Sequence, residues 1–181
     1  LQTTIENSMT EILRKPKDVN FPVFNFNANY RNSSTISNFL SKLIIKYFPE
    51  INLRYSTHSK THVGRNIELI EAEDFEDIID KTINKVKSLI DKDGFKASEI
   101  VILGVDSMRP SDYGTKKSMT AELKNLGLEV INAWDYSKPY LEAGMDNNIS
   151  FSDVRSFKGL EKSAVILVNF KEVNKYNIQR I

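Results

Sequence analysis

The chain has 181 residues, of which 40% are hydrophobic and 27% charged, and this composition is typical of a folded globular protein. It contains no cysteine, which excludes a disulfide scaffold, a cysteine nucleophile and a thiolate metal site, and which fits a reducing, cytoplasmic location. No apolar stretch is long enough to span a membrane, and the net charge of +1 supplies no overall field that would attract nucleic acid. We therefore expect a cytoplasmic protein without a membrane partner.

The first third of the chain predicts two helices with a strand between them. Apolar residues at helical spacing predict a helix that follows Thr4 and ends near Arg14, before Pro16. The β-prone run at 22–26 predicts a strand, and a helix capped by Ser33 or Ser34 follows it. Residues 52–65 are polar without an apolar period, which predicts an exposed loop.

Strands and helices alternate through the rest of the chain. A strand is predicted at 67–70, and Asp74 is the expected N-cap of a helix that Asp93 and Gly94 end. A second helix is expected at 116–126, before Gly127. Further strands are predicted at 99–105, 128–132, 149–154 and 164–169.

This alternation predicts the fold class. Continuous aliphatic strands separated by helices are typical of a mostly parallel sheet that is covered on both faces. We expect an α/β fold with about six strands and helices on both faces, and no repeat or long linker divides the chain. The prediction is one domain over residues 1–181.

Two loops that follow predicted strands carry the residues best suited to chemistry, since ligands of open α/β sheets bind at the carboxyl ends of strands. The first reads NYRNSS at 29–34 and places an aromatic ring and a guanidinium beside a helix N-terminus, a combination that suits a nucleotide. The second reads SDVRSFKGLEKSAVILV at 152–168. Taken singly, each loop is better explained by structural residues and solvated charges.

Together the two loops resemble a known family. The segment NANYRNSSTISNFLSKLI is similar to motif IV of UvrD/Rep-like superfamily 1 helicases, roughly L-x-x-N-Y-R-S-x-x-x-I. The segment SDVRSFKGLEKSAVILV is similar to motif V, roughly T-x-H-S-x-K-G-L-E followed by an aliphatic strand. The motifs occur in the family's order, and the resemblance covers about residues 29–168.

The resemblance implies the second RecA-like domain, of P-loop NTPase type, of an ATP-dependent DNA helicase. ATP and Mg²⁺ would lie between this domain and an N-terminal RecA-like domain, which would hold most of the nucleotide. By the motif positions, Tyr30 would stack on adenine and Arg31 would act as a catalytic arginine finger on the γ-phosphate. Gly159 would permit the motif V turn, and Glu161 would contact the nucleotide sugar or the metal's water shell.

The same resemblance implies a partner in single-stranded DNA. Arg155, Ser156 and Lys158 would face its backbone or tie the turn to it. The chain departs from the family pattern at Asp153 and Arg155, where Thr and His are usual, and an aspartate does not bind phosphate.

The sequence also indicates that this domain does not act alone. It contains neither a G-x-x-x-x-G-K-[ST] phosphate loop nor the arginine-bearing motif VI, so we expect a fragment of a longer helicase that cannot hydrolyse ATP by itself. The alternative is a degenerate RecA-like regulatory or binding module without ATPase activity.

Three other features favour structural explanations. His58 and His62 have no cysteine or acid pair nearby, so we expect solvated loop residues and no metal site. Trp134 and Tyr136 could stack on a base, although packing at the sheet edge is the simpler explanation. The acidic run at 71–77 is best explained as helix capping.

Overall fold

The computed structural model describes residues 28–29, 32–49, 56–57, 63–105, 118–132, 146–154, 156–157 and 160–170. By contact density the chain separates into two compact units, Leu1–Glu68 and Leu69–Ile181. The predicted helix at 4–14 and the predicted strand at 22–26 lie outside the described residues. A single domain over residues 1–181 stays a prediction.

The first unit is built around helix α1 (Ser34–Tyr47), which confirms the predicted helix. Ser33 is its N-cap, and the Ser33 hydroxyl oxygen accepts a hydrogen bond from the Ile36 N–H at 3.4 Å. The short strand β1 (Ala28–Asn29) pairs in parallel with β2 (Ser56–Thr57). Because β2 lies inside 52–65, the prediction that this whole stretch is a loop was wrong at those two residues.

The predicted strand at 67–70 is also wrong. Residues 63–72 are irregular, and their apolar side chains project into solvent, with Leu69 80% exposed and Val63 83% exposed. Apolar and β-branched residues favour strands because they fit a half-buried, pleated surface. No strand among the described residues pairs with this segment, so it has no neighbour with which to form a sheet.

The second unit begins with helix α2 (Phe75–Asp91), at the predicted position. Asp74 caps it through a 2.8 Å hydrogen bond from the Asp77 N–H to the Asp74 carboxylate. One oxygen of Asp77 accepts from the Glu73 N–H at 2.9 Å and from the Lys81 ammonium at 2.6 Å. The acidic run therefore caps the helix, as predicted, and Gly94, with φ of +73°, follows its end.

A four-stranded sheet of entirely parallel strands forms the centre of this unit. Its strands are β3 (Ile100–Gly104), β4 (Glu129–Asn132), β5 (Asn148–Asp153) and β6 (Ala164–Val168), in the order β4-β5-β3-β6. A second helix, α3 (Met119–Asn125), is capped by Ser118 and ends before Gly127, whose φ is +77°. The α/β class and parallel sheet are confirmed, with four strands in the described sheet and not about six.

The two central strands, β3 and β5, are buried on both faces. On the face that we call the helix face, Ile100, Ile102, Ile149 and Phe151 pack with residues of α2 and α3. On the opposite face, which we call the turn face, lie Val101, Leu103, Ser150 and Ser152. Burial on both faces explains why strand β3 reads as a continuous aliphatic run.

Among the described helices of the second unit none lies on the turn face, and a helix on that face stays a prediction. Both α2 and α3 contribute to the cluster on the helix face, whereas Phe157 and Val154 pack on Val101 and Leu103 of the turn face. Among the helices in the described ranges, none is long and apolar enough to cross a bilayer.

Candidate functional site

The turn that follows β5 is closed by hydrogen bonds to a single residue, Asp153. One carboxylate oxygen of Asp153 accepts from the Ser156 N–H at 2.8 Å, and the other accepts from the Ser156 hydroxyl at 2.7 Å. The Asp153 carbonyl accepts from the Phe157 N–H at 3.1 Å. An aspartate that bonds the backbone N–H three residues later is a local turn device, so the sequence D-x-x-S builds this turn by itself.

Phe157 anchors the turn to the sheet. Its side chain is 8% exposed and packs against Val101 and Leu103 of β3. The Leu160 N–H then donates to the Phe157 carbonyl at 3.0 Å. Because β3 lies between β5 and β6, the connection crosses β3 on the turn face before it enters β6.

The far end of this connection is tied to the amino end of β3. The Lys162 ammonium donates to the Ser98 carbonyl at 2.5 Å, and the Ser163 hydroxyl donates to Glu99 at 3.4 Å. Burial lowers the pKa of Lys162, and the nearby Glu99 carboxylate opposes that shift. The connection is therefore held at both edges of the sheet.

Two of the seven residues predicted to form the site are described. Ser156 lies at the carboxyl end of β5, and Glu161 precedes Lys162 at the amino end of β3 and β6; both are exposed. Ser156 and Glu161 are five residues apart in the chain, and the hydrogen bond from the Leu160 N–H to the Phe157 carbonyl lies between them. The other predicted residues lie outside the described residues: Tyr30, Arg31, Arg155, Lys158 and Gly159.

The hydrogen bonding of Ser156 limits what this side chain can bind. A serine hydroxyl has one proton to donate, and Ser156 donates it to Asp153. Phosphate oxygens are acceptors, so a direct bond from Ser156 to a DNA phosphate requires the loss of the bond to Asp153. In the motif comparison Asp153 is only a departure from motif V, although the D-x-x-S spacing is the local signal for a cap.

Among the residues that the structure describes, one buried side-chain oxygen beside this connection has no hydrogen-bond partner. Ser150 is 3% exposed, and its hydroxyl makes no hydrogen bond, whereas the Ser152 hydroxyl donates to the Asp153 carbonyl at 3.1 Å. Ser150 lies between Val101 of β3 and Ile131 of β4 on the turn face. Its hydroxyl is therefore buried among aliphatic neighbours.

The described residues offer no metal centre. No three of their histidine, aspartate and glutamate side chains converge on a common point. His58, His62, Trp134 and Tyr136, weighed above as ligands or base-stacking residues, lie outside the described residues.

Comparison with known proteins identifies no relative. No family profile matches the chain, and neither the curated proteins nor the solved structures include a significant match. The function of this chain must therefore be inferred from the motif residues and from the geometry of the fold.

Proposed function

We propose that this chain is the second RecA-like domain of a UvrD/Rep-like superfamily 1 DNA helicase or translocase. The observation that carries the proposal is the position of the motif V segment. The D-V-R-S-F-K-G-L-E stretch starts at the carboxyl end of β5, a central strand of an entirely parallel sheet. Ligands of open α/β sheets bind at that edge.

The nucleotide role rests on motif IV. Tyr30 and Arg31 lie three and two residues before Ser33, the N-cap of α1, and the N-terminus of a helix favours an anion such as a phosphate. Tyr30 stacks on the adenine in this proposal, and Arg31 stabilises the charge on the γ-phosphate during hydrolysis. ATP and Mg²⁺ are held mainly by a separate phosphate-loop domain, because this sequence contains no such loop.

The DNA role rests on the turn after β5. In this proposal Arg155 and Lys158 supply positive charge to the backbone of single-stranded DNA, while Gly159 permits the turn. The geometry around Asp153 supports a structural part for Ser156 within the same turn. Glu161 remains the proposed contact to the nucleotide sugar or the metal's water shell.

The experiment that tests this proposal is DNA-stimulated ATP hydrolysis by this chain joined to its phosphate-loop domain. We expect Arg31→Ala to lower turnover by about a thousandfold or more while DNA affinity changes little, because the finger acts on the transition state. Arg65→Ala removes an exposed arginine from the same unit and serves as the matched control. Normal turnover in Arg31→Ala would refute the finger assignment.

The replacement of Thr and His by Asp153 and Arg155 in motif V favours one second candidate. It is a degenerate RecA-like module that binds or regulates without hydrolysing ATP. In that case the wild-type protein shows no DNA-stimulated turnover in the same assay, and Arg31→Ala changes nothing.

A further inference from the structure

Asp153 is the residue of the motif V turn whose role the family pattern does not supply. An acidic side chain at a DNA-binding turn should repel phosphates, yet both oxygens of this carboxylate face the chain's own donors. They accept from the N–H and the hydroxyl of Ser156 at 2.8 and 2.7 Å. A carboxylate that accepts two such bonds stabilises one conformation of the turn.

We propose that Asp153 is a positioning residue for nucleic-acid binding, an inference that rests on the proposed function. The two hydrogen bonds from Ser156 to the Asp153 carboxylate hold these two residues of the turn in one arrangement. Phe157, packed on Val101 and Leu103, ties the closed turn to β3. Asp153 thus acts through the conformation of the turn and makes no contact with DNA itself.

This role and simple repulsion predict opposite effects of removing the carboxylate. If Asp153 only repels phosphates, Asp153→Ala strengthens DNA binding, because a negative charge is lost. If Asp153 holds the turn, Asp153→Ala weakens binding, because the turn must be ordered when DNA binds. Asp153→Ser separates the two effects, since a serine oxygen can accept from the Ser156 N–H without carrying charge.

The test measures binding of fluorescent oligothymidylate to the full chain by anisotropy, at about 50 mM and about 200 mM salt. We expect Asp153→Ala to bind about fivefold more weakly. A lost cap costs roughly 1 kcal/mol, and each 1.4 kcal/mol changes the affinity about tenfold. We expect Asp153→Ser to bind at least as tightly as wild type. Ser156→Ala, which loses only the hydroxyl bond, should lie between wild type and Asp153→Ala.

Asp146→Asn is the matched control for charge. Asp146 is exposed, lies before β5 at its other end and pairs with Lys96 at 3.2 Å. The strand between them spans about 17 Å, roughly twice the screening length of about 8 Å at physiological salt. Asp146→Asn should therefore leave the affinity for oligothymidylate unchanged.

Amide hydrogen exchange checks the cap without DNA. The Ser156 amide should exchange faster in Asp153→Ala and stay protected in Asp153→Ser. Tighter binding by Asp153→Ala, equal binding by all variants, or unchanged Ser156 exchange in Asp153→Ala would each overturn the positioning role alone. Failure of the wild-type chain to bind oligothymidylate would instead overturn the DNA part of the proposed function, and this inference with it.

Discussion

Replacing Ser150 by Ala is expected to stabilise the protein, although it removes a polar group from the interior. The Ser150 hydroxyl is buried on the turn face between Val101 and Ile131 and makes no hydrogen bond. In the unfolded chain that hydroxyl bonds to water, so folding loses a bond that the native state does not replace. Ala removes this penalty and leaves the backbone pairing of β5 in place.

The magnitude follows from the cost of an unsatisfied buried group, about 1–3 kcal/mol. The missing oxygen leaves a small void that offsets part of this gain, so we expect a net stabilisation of about 1 kcal/mol. For a chain of this size such a change raises Tm by about 2–4 °C.

The assay is thermal and urea unfolding followed by circular dichroism, with Ser152→Ala as the matched control. Ser152 is a fully buried serine two residues away on the same strand and face, but its hydroxyl donates to the Asp153 carbonyl. Its loss should therefore cost about 1 kcal/mol. If Ser150→Ala lowers Tm by as much as Ser152→Ala does, the predicted stabilisation is wrong. The Ser150 hydroxyl would then have a hydrogen-bond partner in the folded protein.

Three further predictions concern residues that hold the turn and the helix starts. Phe157→Ala should destabilise the second unit by about 3–5 kcal/mol in urea unfolding, because it removes the side chain that packs on Val101 and Leu103. Phe157→Leu keeps an apolar side chain there and should cost clearly less. Gly64→Ala should disturb the start of α1, because a Cβ at this position would lie 2.2 Å from the Ser33 hydroxyl that caps the helix; a Tm equal to wild type would contradict that placement. The hydrogen bond from Lys81 lowers the pKa of Asp77, with the Glu73 N–H as the next contribution. A carboxyl whose pKa is lower in the folded state stabilises it above the unfolded pKa, about 4, and loses that contribution as pH falls through the folded pKa. On acidification below about pH 4, the urea midpoint should therefore fall less in Asp77→Asn than in wild type. Midpoints that fall equally in both proteins would argue against a lowered pKa of Asp77.

The starts of α1 and α2 could be predicted from the sequence alone. Ser33 caps α1 and Asp74 caps α2 as expected, and the acidic run at 71–77 serves that cap. Capping links residues three or four apart, so all the information lies within one turn of chain. The four strands of the parallel sheet were also predicted, β3 and β6 from their continuous aliphatic runs. For β3 the reason is burial on both faces, which demands apolar residues at every position.

The residues at 67–70 show where this reasoning fails. They have the composition of a strand and yet remain exposed, since a strand exists only where a neighbour supplies its hydrogen bonds. The order β4-β5-β3-β6 likewise depends on contacts between residues far apart in the chain, and no local pattern encodes it.

The candidate site divides in the same way. Sequence alone singled out the segment after β5, with its R-S-F-K-G-L-E pattern, and predicted that it follows a strand. Only the tertiary structure decided that Phe157 packs on β3 and that Lys162 is bonded to the Ser98 carbonyl at the amino end of β3. The reason is physical: residue types and spacings determine which local bonds a segment can make, whereas the path of the chain across β3 determines which groups face the same ligand.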